Sequence, residues 1–207
     1  MNSHRRIAAV AFVAATLLTV AGCASGAPGG AEPPGAGLGG VWPAPPDVRV
    51  MTQGTVLDTN GDVELCLGAV AESYPPQCSG IPVVGWSWDG VDGSESANGV
   101  TWGAYGVQGT YDGETFTVDQ PPVMLALYDP VKPDDPTGGR AGAGTEEQLA
   151  ELQNDLPDRL AEGYLTSYID NGWLWVDVVW DDGTWQAAAD EEYGADVVII
   201  RSVIRPF

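Results

Sequence analysis

The chain has 207 residues, 44% of them hydrophobic, and carries 29 acidic against eight basic side chains for a formal net charge of −21. A surface of that sign repels phosphate backbones and anionic headgroups, which excludes nucleic acid as a partner. Its one histidine is His4, its one lysine is Lys132, and three cysteines, Cys23, Cys66 and Cys78, complete a short supply of nucleophiles and bases.

Residues 1–22 open with Arg5 and Arg6 and continue as an apolar run from Ile7 to Ala21, a signal peptide's charged head and apolar middle. The run is shorter than the roughly 20 residues a spanning helix needs, and Gly/Pro-rich sequence follows it at once. Its end, Leu18-Thr19-Val20-Ala21-Gly22-Cys23, resembles the bacterial lipobox, in which the cysteine sulfur takes a diacylglyceryl group before cleavage. Cleavage before Cys23 removes both leading arginines and His4, so the mature chain carries −23 and no imidazole. Residues 23–46 are rich in Gly, Pro and Ala and are expected to be a disordered tether reaching a few tens of Å.

Residues 47–128 are expected to form a small all-β domain. Strands are predicted at 48–57, 63–70, 81–88, 101–111 and 114–119, with Asp112-Gly113 as a tight turn between the last two. Five short strands with glycines spaced through them suggest an OB-like barrel, with an open sandwich as the alternative. Cys66 and Cys78, outside the reducing cytosol, are expected to form a disulfide. Asp58, Asn60, Asp62 and Glu64 alternate like calcium-loop ligands, but Val63 stands where such a loop needs its glycine, which is Gly61 two positions early, and Ala69 where it needs a glutamate. A polar turn between two strands fits them better, and no metal or other cofactor is assigned.

Residues 129–144 read as a linker and 145–207 as an α-β-β-α-β module. Thr145 and Gln148 look like a capping box. Leu149, Leu152, Leu156 and Leu160 then recur at helical spacing, with Pro157 expected to kink or restart the helix. Strands at 165–170 and 173–180 flank Asn171-Gly172, a type I′ turn dipeptide, followed by a helix at 184–193 and a strand at 197–204. Segments 173–180 and 197–204 are apolar on both faces, which predicts central positions in a covered sheet. The fold class expected is thus α+β: an N-terminal OB-like barrel with one disulfide, plus this C-terminal module.

Without imidazole, and with its thiols committed, the mature chain has little beyond carboxylates for acid–base work. Asp181, Asp182, Glu191 and Glu192 are candidates for a glycan-cleaving pair, though solvation explains each equally well. Eight tryptophans are many for this length. Trp86 with Trp88, and Trp173 with Trp175, share a strand face and are the candidates for stacking a ligand, core packing being the competing explanation.

The segment from Glu64 to Gly68, continued by Glu72-Ser73-Tyr74-Pro75-Pro76-Gln77-Cys78-Ser79-Gly80-Ile81-Pro82, resembles uncharacterised exported proteins and lipoproteins of actinobacteria. The runs 102–107 and 109–113 are similar to the same proteins. The resemblance covers some 50 residues and implies export and the disulfide; no activity travels with it. The order of the C-terminal elements is loosely similar to pro-domains and inhibitor-like modules of secreted proteases, a likeness of topology only. The expectation is a lipid-anchored extracytoplasmic protein acting as a non-catalytic binding or accessory component. The membrane is its one named partner; a glycan-active or glycan-binding role and a protease-binding role are the alternatives.

Overall fold

Three Asn-Gly dipeptides punctuate this chain, and each closes a two-residue hairpin with both φ values positive, as a type I′ turn requires: Asn60-Gly61, Asn98-Gly99 and Asn171-Gly172. The strand pattern anticipates the last as a type I′ hairpin and the first as a polar turn between two strands, but not Asn98-Gly99. The structure, a computed structural model, describes residues 37–127 and 135–207. The expected signal peptide, Cys23, the expected tether up to residue 36 and Lys132 lie outside the described residues.

The first half is mostly β: β1 (Val50–Thr59), β2 (Asp62–Cys66), β3 (Ile81–Val84), β4 (Glu95–Ala97), β5 (Val100–Tyr111), β6 (Phe116–Val118) and β7 (Val123–Met124). Five of these close a barrel. Strand β1 pairs antiparallel with both β2 and β5, β2 continues to β3, β3 runs parallel to β6, and β6 returns to β5. Alternation on the long strands sends Val50, Val56, Tyr105, Val107 and Tyr111 inward, where they meet Leu65 and Phe116. The closure depends on close backbone approach. A Cβ on Gly109 would stand 1.8 Å from the Thr117 carbonyl oxygen, so no larger residue fits where β5 crosses β6. The predicted Asp112-Gly113 turn is a four-residue loop instead: Tyr111 faces Phe116, and Asp112 Oδ1 accepts from the backbone N–H groups of Glu114 and Thr115. Strand β3 stops at Val84, so Trp86 and Trp88 lie beyond its end.

The second half contains α1 (Glu146–Leu160), β8 (Tyr164–Asp170), β9 (Trp173–Val178), α2 (Thr184–Tyr193), β10 (Val198–Ser202) and β11 (Arg205–Pro206). Thr145 caps α1 by accepting from the Gln148 N–H at 3.3 Å, and the helix runs unbroken through Pro157. Both helices pack on the face of the β10-β9-β8 sheet that carries Leu174, Val176 and Val178. Strand β9 is central, as its two apolar faces suggest, but β10 is an edge, against expectation. Its exposed rim is closed by a side chain rather than a strand. Gln186 of α2 donates to the Val198 carbonyl at 3.0 Å and accepts from the Ile200 N–H at 2.8 Å. Gln153 of α1 does the same service on the other edge, donating to the Ser167 carbonyl of β8 at 2.9 Å. Pattern alone could not reveal this, because a glutamine satisfying a strand edge leaves no trace in hydropathy.

The two halves share structure. Val179 and Ile204 are buried in the barrel's core, β11 pairs with β1, and Thr52 Oγ1 donates to the Val203 carbonyl at 3.0 Å. Residues 37–46 belong to the expected tether, yet Leu38 is only 2% exposed, packed among the leucines of α1. Residues 140–144, within the expected linker, lie against the β8–β9 turn, with the Gly142 N–H bonded to the Asn171 carbonyl.

Candidate functional site

Between the β2–β3 face of the barrel and the start of β8 runs a groove of about 760 Å3. Its barrel wall is Leu65, Leu67, Ile81 and Pro82, closed at one end by the β5–β6 loop with Tyr111, Glu114 and Thr115. The disulfide between Cys66 and Cys78, with Cα atoms 6.0 Å apart, joins the end of β2 to the approach of β3 and so braces this wall. The opposite wall carries Glu162, Tyr164, Leu165, Trp180 and Trp185.

A third wall is supplied by the strap of residues 41–46. Trp42, Ala44 and Pro45 each precede a proline, which biases them to extended conformations. Two indoles grip the strap: Trp185 Nε1 donates to the Val41 carbonyl at 2.9 Å and Trp180 Nε1 to the Ala44 carbonyl at 2.8 Å. Asp182 Oδ2 accepts the Ala44 N–H at 3.0 Å, and the Trp42 ring meets that of Trp185 edge-on at 5.7 Å. Upstream, Arg159 forms a two-pronged pair with Glu192, donates to the Leu38 carbonyl, and also contacts the Tyr193 hydroxyl; Glu192 in turn accepts the Leu38 N–H. The Arg159 guanidinium holds the Glu192 carboxyl below its ordinary range, against the opposing effect of burial.

The groove's electrostatics are one-sided. Glu114 and Glu162 line the groove at exposed positions, neither forms an ion pair among the described residues, and no arginine lines it. Burial pushes the Tyr111 phenol up to about 12, and the charges of Asp112, Glu114 and Glu162 push the same way, so three carboxylates converge on one ring. The groove's hydrogen-bond donors are mixed: the Ser79, Thr115 and Tyr164 hydroxyls line it, while others are already engaged. The Trp180 and Trp185 indoles are committed to the strap, the Tyr111 hydroxyl donates to the Gly113 carbonyl at 2.7 Å, and the Gly80 N–H is bonded to Glu64.

The residues singled out in the sequence fall elsewhere. Trp173 is 2% and Trp175 7% exposed; Trp173 donates to the Arg140 carbonyl, and Trp175 is roofed by Tyr168 and Arg201. Trp86 and Trp88 pack edge-on at 5.1 Å and lean on Tyr105 beneath the barrel core. Trp86 also borders a second hollow of about 630 Å3 near Asp89, Asp92 and Pro122, but its indole N–H is buried without a partner. Asp58 accepts from Trp88 Nε1 and from the Gly61 N–H, and Glu64 from Gly80, so both serve the turns around them. Among the described residues no three His, Cys, Asp or Glu side chains are placed to hold a metal ion. Asp181 caps α2 by accepting from the Trp185 and Gln186 N–H groups, and burial raises its carboxyl's pKa. Asp182 is held below its ordinary range by Thr184, at an exposed position. Glu191 is exposed, and none of these four acids lines the groove.

Trp42, Trp180, Trp185, Glu114 and Glu162 were not singled out in the sequence. One signal was legible: a tryptophan among prolines inside an otherwise featureless tether is a costly residue to leave in water, and it marks where the chain docks. No described helix is long and apolar enough to cross a membrane. Comparison of the chain with protein-family models, with curated proteins and with solved structures finds no match.

Proposed function

We propose that this protein is an extracytoplasmic lipoprotein, held on a membrane by lipid on Cys23, that binds an elongated ligand in the groove and performs no catalysis of its own. The observation that carries the binding role is the groove itself: about 760 Å3, the size of an ordinary ligand site, lined by aromatic rings and by two glutamates without an ion-pair partner among the described residues. The lipobox-like run ending at Cys23 and the likeness to actinobacterial exported proteins support the location. A mature chain without imidazole, whose Asp181 caps a helix, whose Glu64 holds a turn and whose Glu192 is paired with Arg159, supports a binding rather than a catalytic role.

We read the closed barrel as OB-like. Its strand order and the parallel β3–β6 pair support that reading, as does the groove's position on the β2–β3 face beside the β5–β6 loop. Barrels of that kind use the same face and loop for oligosaccharides and oligonucleotides. Nucleic acid is repelled by the charge, so an oligosaccharide is the second reading this position favours.

Two measurements test the proposal. Mass spectrometry of the mature protein should find a diacylglyceryl-modified Cys23 at the N-terminus, and Cys23→Ser should release the protein from membranes. Calorimetric titration with neutral oligosaccharides and with peptides should find a ligand whose binding is lost in Trp180→Ala. Binding that survives this substitution intact would remove the groove from the account.

A further inference from the structure

We infer that Asn98 is a site of spontaneous covalent modification, closing on the Gly99 nitrogen and reopening as aspartate or isoaspartate, while the fold holds back the other two Asn-Gly pairs, Asn60-Gly61 and Asn171-Gly172. The chemistry belongs to the dipeptide. The Gly99 amide nitrogen, once deprotonated, attacks Asn98 Cγ; the bond from Cγ to the side-chain nitrogen breaks, and that nitrogen leaves as ammonia. Water then opens the five-membered imide. Cleavage of its Cγ–N bond gives aspartate, and cleavage at the Asn98 backbone carbonyl gives isoaspartate. One water is consumed, one ammonia is released, and nothing is oxidised or reduced. Glycine favours the closure because no side chain hinders the approach to its nitrogen.

Selection among the three pairs is structural. Each asparagine is exposed and each pair closes a type I′ hairpin, so neither exposure nor turn type separates them. The asparagine must rotate out of the turn before the nitrogen reaches Cγ, so the rate follows the cost of opening each hairpin locally.

At Asn60-Gly61 the nucleophile is engaged: the Gly61 N–H donates to Asp58 Oδ1 at 2.7 Å, which opposes its deprotonation. The strand leading into that turn, β1, is also flanked on both sides, by β2 and β5. At Asn171-Gly172 both carbonyls are held, Asn171's by the Gly142 N–H at 2.9 Å and Gly172's by the Gly144 N–H at 3.0 Å. Opening that turn breaks this clasp beside Trp173, which is 2% exposed. Asn98-Gly99 has no such hold. No hydrogen bond joins the Asn98 side chain or the Gly99 N–H to another described residue. Strand β4, which leads into it, has three residues, ends its sheet, and exposes Glu95 and Ser96. Beyond its backbone pairing with β5, one hydroxyl contact, Ser96 with Thr101, ties it down.

Conversion alters the hairpin. Either product adds a negative charge, and isoaspartate also threads one extra methylene into the main chain, so Ala97 and Val100 no longer face each other in register.

Peptide mapping by mass spectrometry tests this. The purified chain is held in heavy-oxygen water at mildly alkaline pH, folded and in parallel in concentrated urea, and oxygen incorporation is followed at each asparagine. In the folded chain Asn98 should convert about tenfold faster than Asn60 and Asn171, and in urea the three rates should come within about threefold of one another. Asn60 or Asn171 converting as fast as Asn98 in the folded chain would overturn the inference. So would a tenfold lead of Asn98 that persists in urea, because sequence rather than fold would then set the order. An Asn98 that stays intact in the folded chain while converting in urea would overturn it as well. Converted material should show faster amide exchange at Ala97, and unchanged exchange there would contradict the loss of register.

Discussion

Leu38→Ala tests whether the end of the tether is part of the folded unit. The side chain is 2% exposed and packs with Leu149, Leu156 and Leu160 of α1, and its backbone is held on both sides, by Glu192 at the N–H and Arg159 at the carbonyl. Truncating a buried leucine costs about 2–5 kcal/mol. The strap enters from a chain end and can lift away without unfolding the sheet beneath it, so the loss is capped by its docking free energy. A value of about 3 kcal/mol follows. With a urea slope of about 2 kcal/mol/M, the midpoint followed by tryptophan fluorescence falls by about 1.5 M. If the strap lifts first, Trp42 and Trp185 report an early phase before the main transition. A midpoint within about 0.2 M of the parent and no early phase would mean that residues 37–46 are not docked.

Replacing Gln186 by leucine removes both hydrogen bonds to the β10 edge, which should cost about 1–3 kcal/mol in chemical denaturation and produce dimers or larger species in light scattering. Replacing Cys66 and Cys78 by serine opens a loop of 12 positions, lowering stability by about 3 kcal/mol and loosening the barrel wall of the groove, seen as faster amide exchange at Leu65 and Ile81. Glu192 is depressed in the folded state by Arg159, so its contribution is present above the ordinary glutamate range and lost as pH falls through its folded pKa. Glu192→Gln should lower stability at neutral pH and flatten the decline between about pH 5 and 3, read as melting temperature against pH.

The long strands β1 and β5 were legible because one face of each is buried, which shows in the sequence as alternation. The capped helix α1, the second helix and the Asn171-Gly172 hairpin were legible through local chemistry in the same way. What could not be read depends on long-range partners. Strand β4 is three residues long and mostly polar, so only the Asn98-Gly99 turn betrays it. The edge position of β10 depends on one glutamine from α2. The groove escaped because its residues come from six separated stretches, and because Trp86, Trp88, Trp173 and Trp175 satisfy a strand-face rule that core packing satisfies equally well. The strap was hidden by composition: glycine and proline hold a chain open, but Leu38, Val41 and Trp42 supply enough apolar surface to dock it.

The eight tryptophans themselves provide the most direct measurement. Fluorine NMR of the chain labelled with 5-fluorotryptophan reports each ring separately, so titration with the ligand that calorimetry identifies reads out where it sits. The account predicts shifts at Trp42 and Trp180, with Trp86, Trp88, Trp173 and Trp175 unmoved. Shifts confined to Trp86 and Trp88 would place the ligand at the other hollow and contradict it.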